Sequence, residues 1–415
     1  MEDIGKVISP GATVSNIYYD HKSTHLSKMQ DDVLTNNRFV QAFTSMQFGS
    51  QGISLLIPND QLVGDTMIAL RFSGAANLAL VPVAAYSVIQ QIEYQIGGSV
   101  VYQNSGIQHL FAVLADCASL EKRAEVVRLG GGNGGAFTSD GTLYIHVKVP
   151  WSNVDGVSNL KNPLDSKLVK QPLRVNIYLR PANYIYYATG GSPTIPSALV
   201  DAYFQCHQFN FIDARHNLKL QYETMVDGKL VMKNDFYSYP FTFQQDFNTT
   251  QFTGSAVGST PVQLSLTGFR SGNLLAIRVM LFNVTSGVLG SPATSSTNYL
   301  KTSDAQSVSL FFNGLEIFRS KYDSWKMSNL ECSRTPNYSQ PDPTSTNTYY
   351  WIEIPLSQYS PELIGSAYQK GLNVSSQTLI LQLNTPNTDT YVVYGTYLYH
   401  SDVIMDGSTA EIAFE

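Results

Sequence analysis

Seven histidines and three cysteines among 415 residues leave little room for metal or nucleophile chemistry. His21 and His25 have the i, i+4 spacing of a helical zinc pair, but Lys22 stands where a zinc protease carries its general-base Glu. In so polar a stretch they read as solvent-exposed side chains. His207 and His216 flank a strand at a separation too large for a local ligand pair, and no Cys-x-x-Cys accompanies them. Glu353 and Glu362 could share glycoside hydrolysis only if the fold set a suitable separation, and both read as exposed strand and loop positions. The run Gly130-Gly131-Gly132-Asn133-Gly134-Gly135 contains G-x-G-x-x-G, yet it follows a helical pattern and precedes a strand, the reverse of a dinucleotide cradle. It reads as a flexible surface loop. There is no G-x-S-x-G elbow, no Gly-Lys-Ser/Thr phosphate loop and no Asp-x-Asp-x-Asp-Gly calcium loop. The chain is therefore read as no enzyme, with no catalytic, cofactor-binding or metal-binding residue assigned and no cofactor.

The elements that would have to position any site are written twice. Phe43-Thr44 matches Phe252-Thr253, and Ile53, Leu55 and Ile57 match Val262, Leu264 and Leu266, both at an offset of 209. Ile68-Ala69-Leu70-Arg71 matches Leu275-Ala276-Ile277-Arg278 at 207. Residues 94–102 match 310–318 at 216, which aligns Gly97-Gly98 with Asn313-Gly314, both two-residue hairpin signals. Val147-Lys148-Val149-Pro150 matches Ile352-Glu353-Ile354-Pro355 at 205, and Gln171, Leu173, Val175 and Ile177 match Gln377, Leu379, Leu381 and Leu383 at 206. The rise from 207 to 216 places about nine extra residues of the second copy in the Ser/Thr-rich loop 285–306. Each stretch alternates apolar and polar residues, so one face of each strand is buried. Short alternating strands without interleaved helices predict antiparallel sandwiches, and each copy is long enough for its own core.

The remaining segments fall around this frame. Apolar residues at Ile107, Leu110, Phe111 and Leu114 predict an amphipathic helix over 107–128, with a weaker counterpart at 322–330. The expected organisation is an N-terminal arm at 1–38, a first unit at 39–217, a connector at 218–235 and a second unit with a C-terminal tail at 236–415. The arm, polar and matching nothing in the second half, is expected to order on assembly. Cys117, Cys206 and Cys332 are an odd, sparse set, which fits a reducing compartment. The N-terminus lacks a signal-peptide pattern, and the longest apolar run, 78–86, is too short to span a bilayer. The expectation is a soluble protein made in the cytoplasm, for which Asn-x-Ser/Thr sites at Asn248, Asn283, Asn337 and Asn373 are chance. A net charge of −6 argues against wrapping nucleic acid, and the cluster Lys161, Lys167, Lys170 and Arg174 reads as a solvated loop. Low charge, 14%, with 25 Tyr and 20 Phe, fits either surfaces covered by partners or a large β core.

Two copies of an eight-strand-like unit, with hairpins at Gly97-Gly98 and Asn313-Gly314, resemble the double jelly-roll major capsid proteins of the tectivirus and adenovirus lineage. The helix after the first hairpin, and Val147-Lys148-Val149-Pro150-Trp151 followed by Gln171-Pro172-Leu173-Arg174-Val175-Asn176-Ile177, add to the likeness. The resemblance implies an all-β fold of two tandem eight-stranded antiparallel jelly rolls with a short helix in the first. It implies a coat protein that forms homotrimers, pseudo-hexameric capsomers that tile an icosahedral double-stranded DNA virion after synthesis in the host cytoplasm. Implied partners are itself, neighbouring capsomers, and minor capsid and vertex proteins, without sequence-specific nucleic-acid binding. In many such viruses the shell surrounds a lipid membrane, but residues 1–38 are neither notably basic nor amphipathic. The loop 285–306 is the candidate outward tower. Three alternatives stay open: a secreted-type double jelly-roll hydrolase, a carbohydrate-binding protein with Tyr184, Tyr186 and Tyr187 as a stacking platform, and a minor capsid or spike protein.

Overall fold

Alternation sets which side of each strand faces inward. Along Leu173–Leu179, Leu173, Val175, Ile177 and Leu179 are buried while Arg174 is exposed. Ile53–Ile57 likewise buries Ile53, Leu55 and Ile57. A computed structural model describes residues 14–16, 33–44, 46–49, 53–57, 62–116, 120–147, 164–165, 172–211, 223–226, 229–232, 236–270, 272–284, 302–303, 305–321, 351–356, 372–374, 377–405 and 410–414. Eight strands build a first unit: β1 (Val33–Thr44), β2 (Ile53–Ile57), β3 (Leu62–Phe72), β4 (Ile89–Ile96), β5 (Ser99–Asn104), β6 (Gly141–Val147), β7 (Leu173–Leu179) and β8 (Asp201–Phe211). Eight more build a second: β9 (Phe236–Asn248), β10 (Val262–Leu266), β11 (Asn273–Asn283), β12 (Ser307–Phe312), β13 (Leu315–Lys321), β14 (Ile352–Pro355), β15 (Leu379–Asn384) and β16 (Thr390–Met405).

Pairing is antiparallel and repeats with the same order. In the first unit one sheet runs β1-β8-β3-β6 and the other β2-β7-β4-β5. In the second the corresponding sheets run β9-β16-β11-β14 and β10-β15-β12-β13. Each unit is thus an eight-stranded, two-sheet jelly roll, as expected. Val175 lies opposite Leu55 on one side and Tyr94 on the other. Its repeat partner Leu381 lies opposite Leu264 and Leu310, the sequence matches of those two residues. Both hairpins turn through two residues of positive φ, 58° and 93° at Gly97 and Gly98, 50° and 81° at Asn313 and Gly314. The buried apolar residues form one cluster that runs through both barrels.

Three expectations need correction. First, the match of β3 with β11 slips. Val147 pairs with Thr66 and its counterpart Ile352 pairs with Val279, an offset of 213 for this strand instead of 207. Four of the second copy's extra residues therefore lie between Leu266 and Leu275, and three, not nine, lie in the stretch containing 285–306. Second, the helix over 107–128 is two spans, α1 (Gly106–Asp116) and α2 (Leu120–Leu129), with 117–119 outside the described residues. Third, the glycine run is no loose surface loop. Its carbonyls at Gly132 and Gly130 accept the Val83 and Ala85 amides at 2.9 and 3.0 Å, and a Cβ at Gly134 would overlap the Leu80 carbonyl. The glycines permit close backbone approach to a buried segment.

The polar arm already contributes structure, since Val14–Asn16 pairs in parallel with Phe236–Ser238 on the edge of β9. Between the barrels, Glu223–Val226 and Lys229–Met232 form a hairpin. The helix at 322–330 and most of the loop 285–306 lie outside the described residues. No described helix is long and apolar enough to cross a membrane. Leu381 is fully buried and Leu315 is 69% exposed. Leu381→Ala is expected to lower stability by about 2–5 kcal/mol, read as a drop in the urea unfolding midpoint, whereas Leu315→Ala should shift it by less than about 0.5 kcal/mol.

Candidate functional site: the seam between the barrels

The two barrels meet where β5 ends and α1 begins. Ser105-Gly106-Ile107-Gln108 is a capping sequence: Ser105 Oγ accepts the Gln108 amide at 3.3 Å and donates to Gln108 Oε1 at 2.9 Å. Gly106 is required because a Cβ there would overlap the Tyr86 carbonyl. The apolar face of α1 then sinks, with Ile107, Leu110, Phe111 and Leu114 all buried.

From this start the helix reaches into the second barrel. The Ser105 amide donates to Asp246 Oδ2 at 2.8 Å, and Gln108 Nε2 donates to the Gly395 carbonyl at 2.7 Å. The Phe111 ring meets Trp351 edge to face at 5.8 Å, and the Arg123 guanidinium of α2 lies 5.7 Å from the same indole. Gly395 itself makes room for its own barrel, because a Cβ there would collide with the Phe247 ring and stand 2.6 Å from the Arg278 carbonyl. A single parallel bridge, Gln245 to Gln103, joins β9 to β5. Beside it opens a cleft of about 380 Å³ lined by Gln90, Gln91, Gln103, Gln245 and Arg270.

A polar row crosses the second barrel under the helix. Asp246, Thr396, Arg278 and Glu353 are successive partners on β9, β16, β11 and β14. Thr396 donates to Asp246 Oδ1 at 3.3 Å, and Arg278 pairs with Glu353 at 3.1 Å with its side chain 6% exposed. Arg278 Nε and Nη1 have no hydrogen-bond partner among the described residues. Burial pushes the Asp246 carboxyl well above the usual carboxylate range, against the opposing pull of the Ser105 amide, the Thr396 hydroxyl and the Arg278 charge. Asn104 links this row to the first barrel. Its amide lies 2.7 Å from the Tyr102 hydroxyl, 3.0 Å from Gln244 Oε1 and 2.7 Å from Asp246 Oδ1. Tyr102 Oη is in turn 2.6 Å from His109 Nδ1, and His109 Nε2 is 3.0 Å from the His146 carbonyl.

Glu353, expected as an exposed carboxylate, is instead the largely buried partner of Arg278. Glu362, His21, His25, His216, Cys117 and Cys332 lie outside the described residues, while His207 and Cys206 occupy β8. Among the described residues no three His, Cys, Asp or Glu side chains gather to hold a metal ion. Lys161, Lys167 and Lys170 also fall outside, and Arg174 is exposed on β7. Tyr186 and Tyr187 are buried, with Tyr186 Oη donating to the Ser73 carbonyl at 3.2 Å, so they pack the core and form no stacking platform. Away from the seam, the outer face of β1-β8-β3-β6 presents Tyr144 and Tyr203, 38% and 45% exposed, on either side of Ala69.

Sequence reasoning passed over Ser105, Gln108, Asp246, Trp351 and Gly395. Two signals were present: Ser-x-x-Gln just ahead of an apolar periodicity, and a glycine inside a strongly β-type run, Tyr394-Gly395-Thr396, which marks close backbone approach.

Two jelly rolls of one strand order, locked side by side, define a double jelly-roll protein. No protein-family model and no curated protein matches the sequence. Solved structures do match the fold. The PBCV-1 virus capsid is similar over 92% of this chain and 98% of that one, with 14% identity and a TM-score of 0.60. The Faustovirus major capsid protein is similar over 90% and 91%, with 9% identity and a TM-score of 0.54. The mavirus major capsid protein is similar over 100% and 96%, with 9% identity and a TM-score of 0.52.

The seam contact is testable as a pair. Trp351→Ala is expected to cost about 3–5 kcal/mol, and a double-mutant cycle with Phe111→Ala should return about 0.5–1.5 kcal/mol of coupling, measured by urea unfolding.

Proposed function

We propose that this chain is the major coat protein of an icosahedral virion. The observation that carries the reading is the duplication itself: two barrels of identical strand order, in matching register over β2-β7-β4 and its copy, fused through α1 into one block. That whole architecture, over nine-tenths of the chain, is the one found in the PBCV-1 capsid. Three such blocks around a threefold axis present six similar lobes, which suits a nearly hexagonal capsomer that tiles a closed shell. The exposed tyrosine face on β6-β3-β8 is a suitable surface for contact between subunits, since aromatic residues are enriched in interface cores.

On this reading the protein works by self-association and performs no catalysis. Its site of action is the virion, after synthesis in the host cytoplasm, with minor capsid and vertex proteins as further partners and an internal membrane as a possible neighbour. The division into an arm at 1–38, barrels at 39–217 and 236–415 and a connector at 218–235 belongs to the same proposal. The reading is tested by size-exclusion chromatography with light scattering and by electron microscopy of the purified chain. A particle of three times the 45.8 kDa chain mass with a pseudo-hexagonal outline is expected, and a stable monomer at all concentrations would exclude it.

A further inference from the structure

We propose that the hydrogen-bonded chain running from His109 to Asp246 carries one shared proton that latches the two barrels together, and that the seam loosens when the proton leaves to solvent. The argument is a count of donors and acceptors. His109 Nε2 faces the His146 carbonyl at 3.0 Å, so this nitrogen must bear hydrogen. Two arrangements then complete the chain.

In the first, the ring is neutral and Nδ1 accepts from the Tyr102 hydroxyl at 2.6 Å. The Tyr102 oxygen accepts one Asn104 amide hydrogen at 2.7 Å and Gln244 Oε1 takes the other at 3.0 Å. Asn104 Oδ1 is left against Asp246 Oδ1 at 2.7 Å and the Gln103 carbonyl at 2.8 Å. Two acceptors at 2.7 Å need a hydrogen between them, and Asp246 supplies it as a neutral acid. In the second, the Asn104 amide is turned over, donating to Asp246 and to the Gln103 carbonyl and accepting from Tyr102, and the Gln244 amide 3.0 Å away is turned with it so that its nitrogen donates to Asn104. Tyr102 has then spent its only hydrogen, so His109 Nδ1 must donate to it while Nε2 still donates to His146. The ring is an imidazolium and Asp246 is ionised. With one proton the first arrangement leaves a single acceptor pair, Asn104 Oδ1 against the Gln103 carbonyl, and the second leaves none once the Gln244 amide is turned with it. With none, each arrangement has one further acceptor facing an acceptor, at a cost of about 1–3 kcal/mol for the buried group left unsatisfied.

The surroundings of Asp246 leave this proton as the balancing charge. Thr396 faces it from β16, Arg278 from β11 with Glu353 of β14 already paired to Arg278, and the Ser105 amide from just ahead of α1. Arg270 lines the cleft and stacks on Phe243 at 4.8 Å, and Glu93 on β4 is held by Gln91 and Gln95. Burial around the Asp246 carboxyl favours the first arrangement.

The sign follows from linkage. Unfolded, Asp246 titrates near about 3.9 and His109 near about 6.5. Between those values folded and unfolded chains both hold one proton at this pair, and stability is flat. Above about pH 6.5 the unfolded chain releases its proton and the folded chain keeps it, so stability falls as pH rises, by up to about tenfold in the folding equilibrium per unit.

Urea unfolding of the full chain and of Asp246→Asn, from about pH 5 to 9, tests this. In the variant an amide hydrogen replaces the acid hydrogen, and the fall above about pH 6.5 should disappear. An equal fall in both proteins, or a flat wild type, would overturn the proposal. Should the variant not fold, infrared and isotope-labelled-histidine NMR spectra of the wild type at about pH 8 decide: a persisting neutral carboxyl or a persisting imidazolium supports the shared proton, and absence of both refutes it.

Discussion

The structure depends on one covering relation: α1 of the first barrel roofs the outer face of β9-β16-β11-β14 in the second. Without that roof the Gly395 carbonyl, the Asp246 carboxyl and the Arg278 guanidinium would face water. With it they must find protein partners, because a buried polar group left unmade costs about 1–3 kcal/mol. Gln108 and Ser105 supply two of those partners, and Glu353 supplies a third. The Phe111–Trp351 contact adds apolar area beside them. Among the described residues, backbone pairing between the barrels is a single bridge, and side chains carry most of the contact that sets their relative orientation.

This relation also explains which parts of the fold the sequence revealed. In β2, β7 and β4 one face is buried and the other open, so alternation survives and a slip by one residue would turn the whole set outward. The matches at Val175 and Leu381 are therefore reproduced as actual neighbours. Strand β11 is different. From Ala276 to Phe282 every residue is buried, whichever face it points to. A strand covered on both faces loses its period of two. The sequence match slid by six residues there, an even number, which keeps every inward residue inward and leaves no hydrophobic penalty to expose the error. The expectation for Glu353 failed for the same reason: its strand position looks outward until a second barrel covers it.

Motif searching missed the seam because its residues are individually ordinary. A serine, two glutamines, an aspartate and a glycine have no catalytic spacing, and their partners lie about 140 to 287 positions away. What the sequence did carry was local: a helix-capping sequence and a strand glycine, each naming one side of a contact. Joining them required the register of β16, which places Gly395 and Thr396 under the start of α1.

The duplication is symmetrical in strand order, yet the seam uses only one of the two equivalent faces, and the register shows why. Arg38 pairs with His207 on β1 and β8 as Asp246 pairs with Thr396 on β9 and β16. The position that offers a carboxylate to the amino end of α1 in the second barrel therefore carries an arginine in the first. A helix N-terminus bears partial positive charge, which favours an acid and opposes a base there. The position of Gly395 is filled by Cys206. The first barrel's β1-β8-β3-β6 face is, on account of that arginine, less suited than the other to the amino end of a helix such as α1. Its exposed Tyr144 and Tyr203 stay available to a different neighbour, and identical folds acquire different roles through a few substitutions on one sheet.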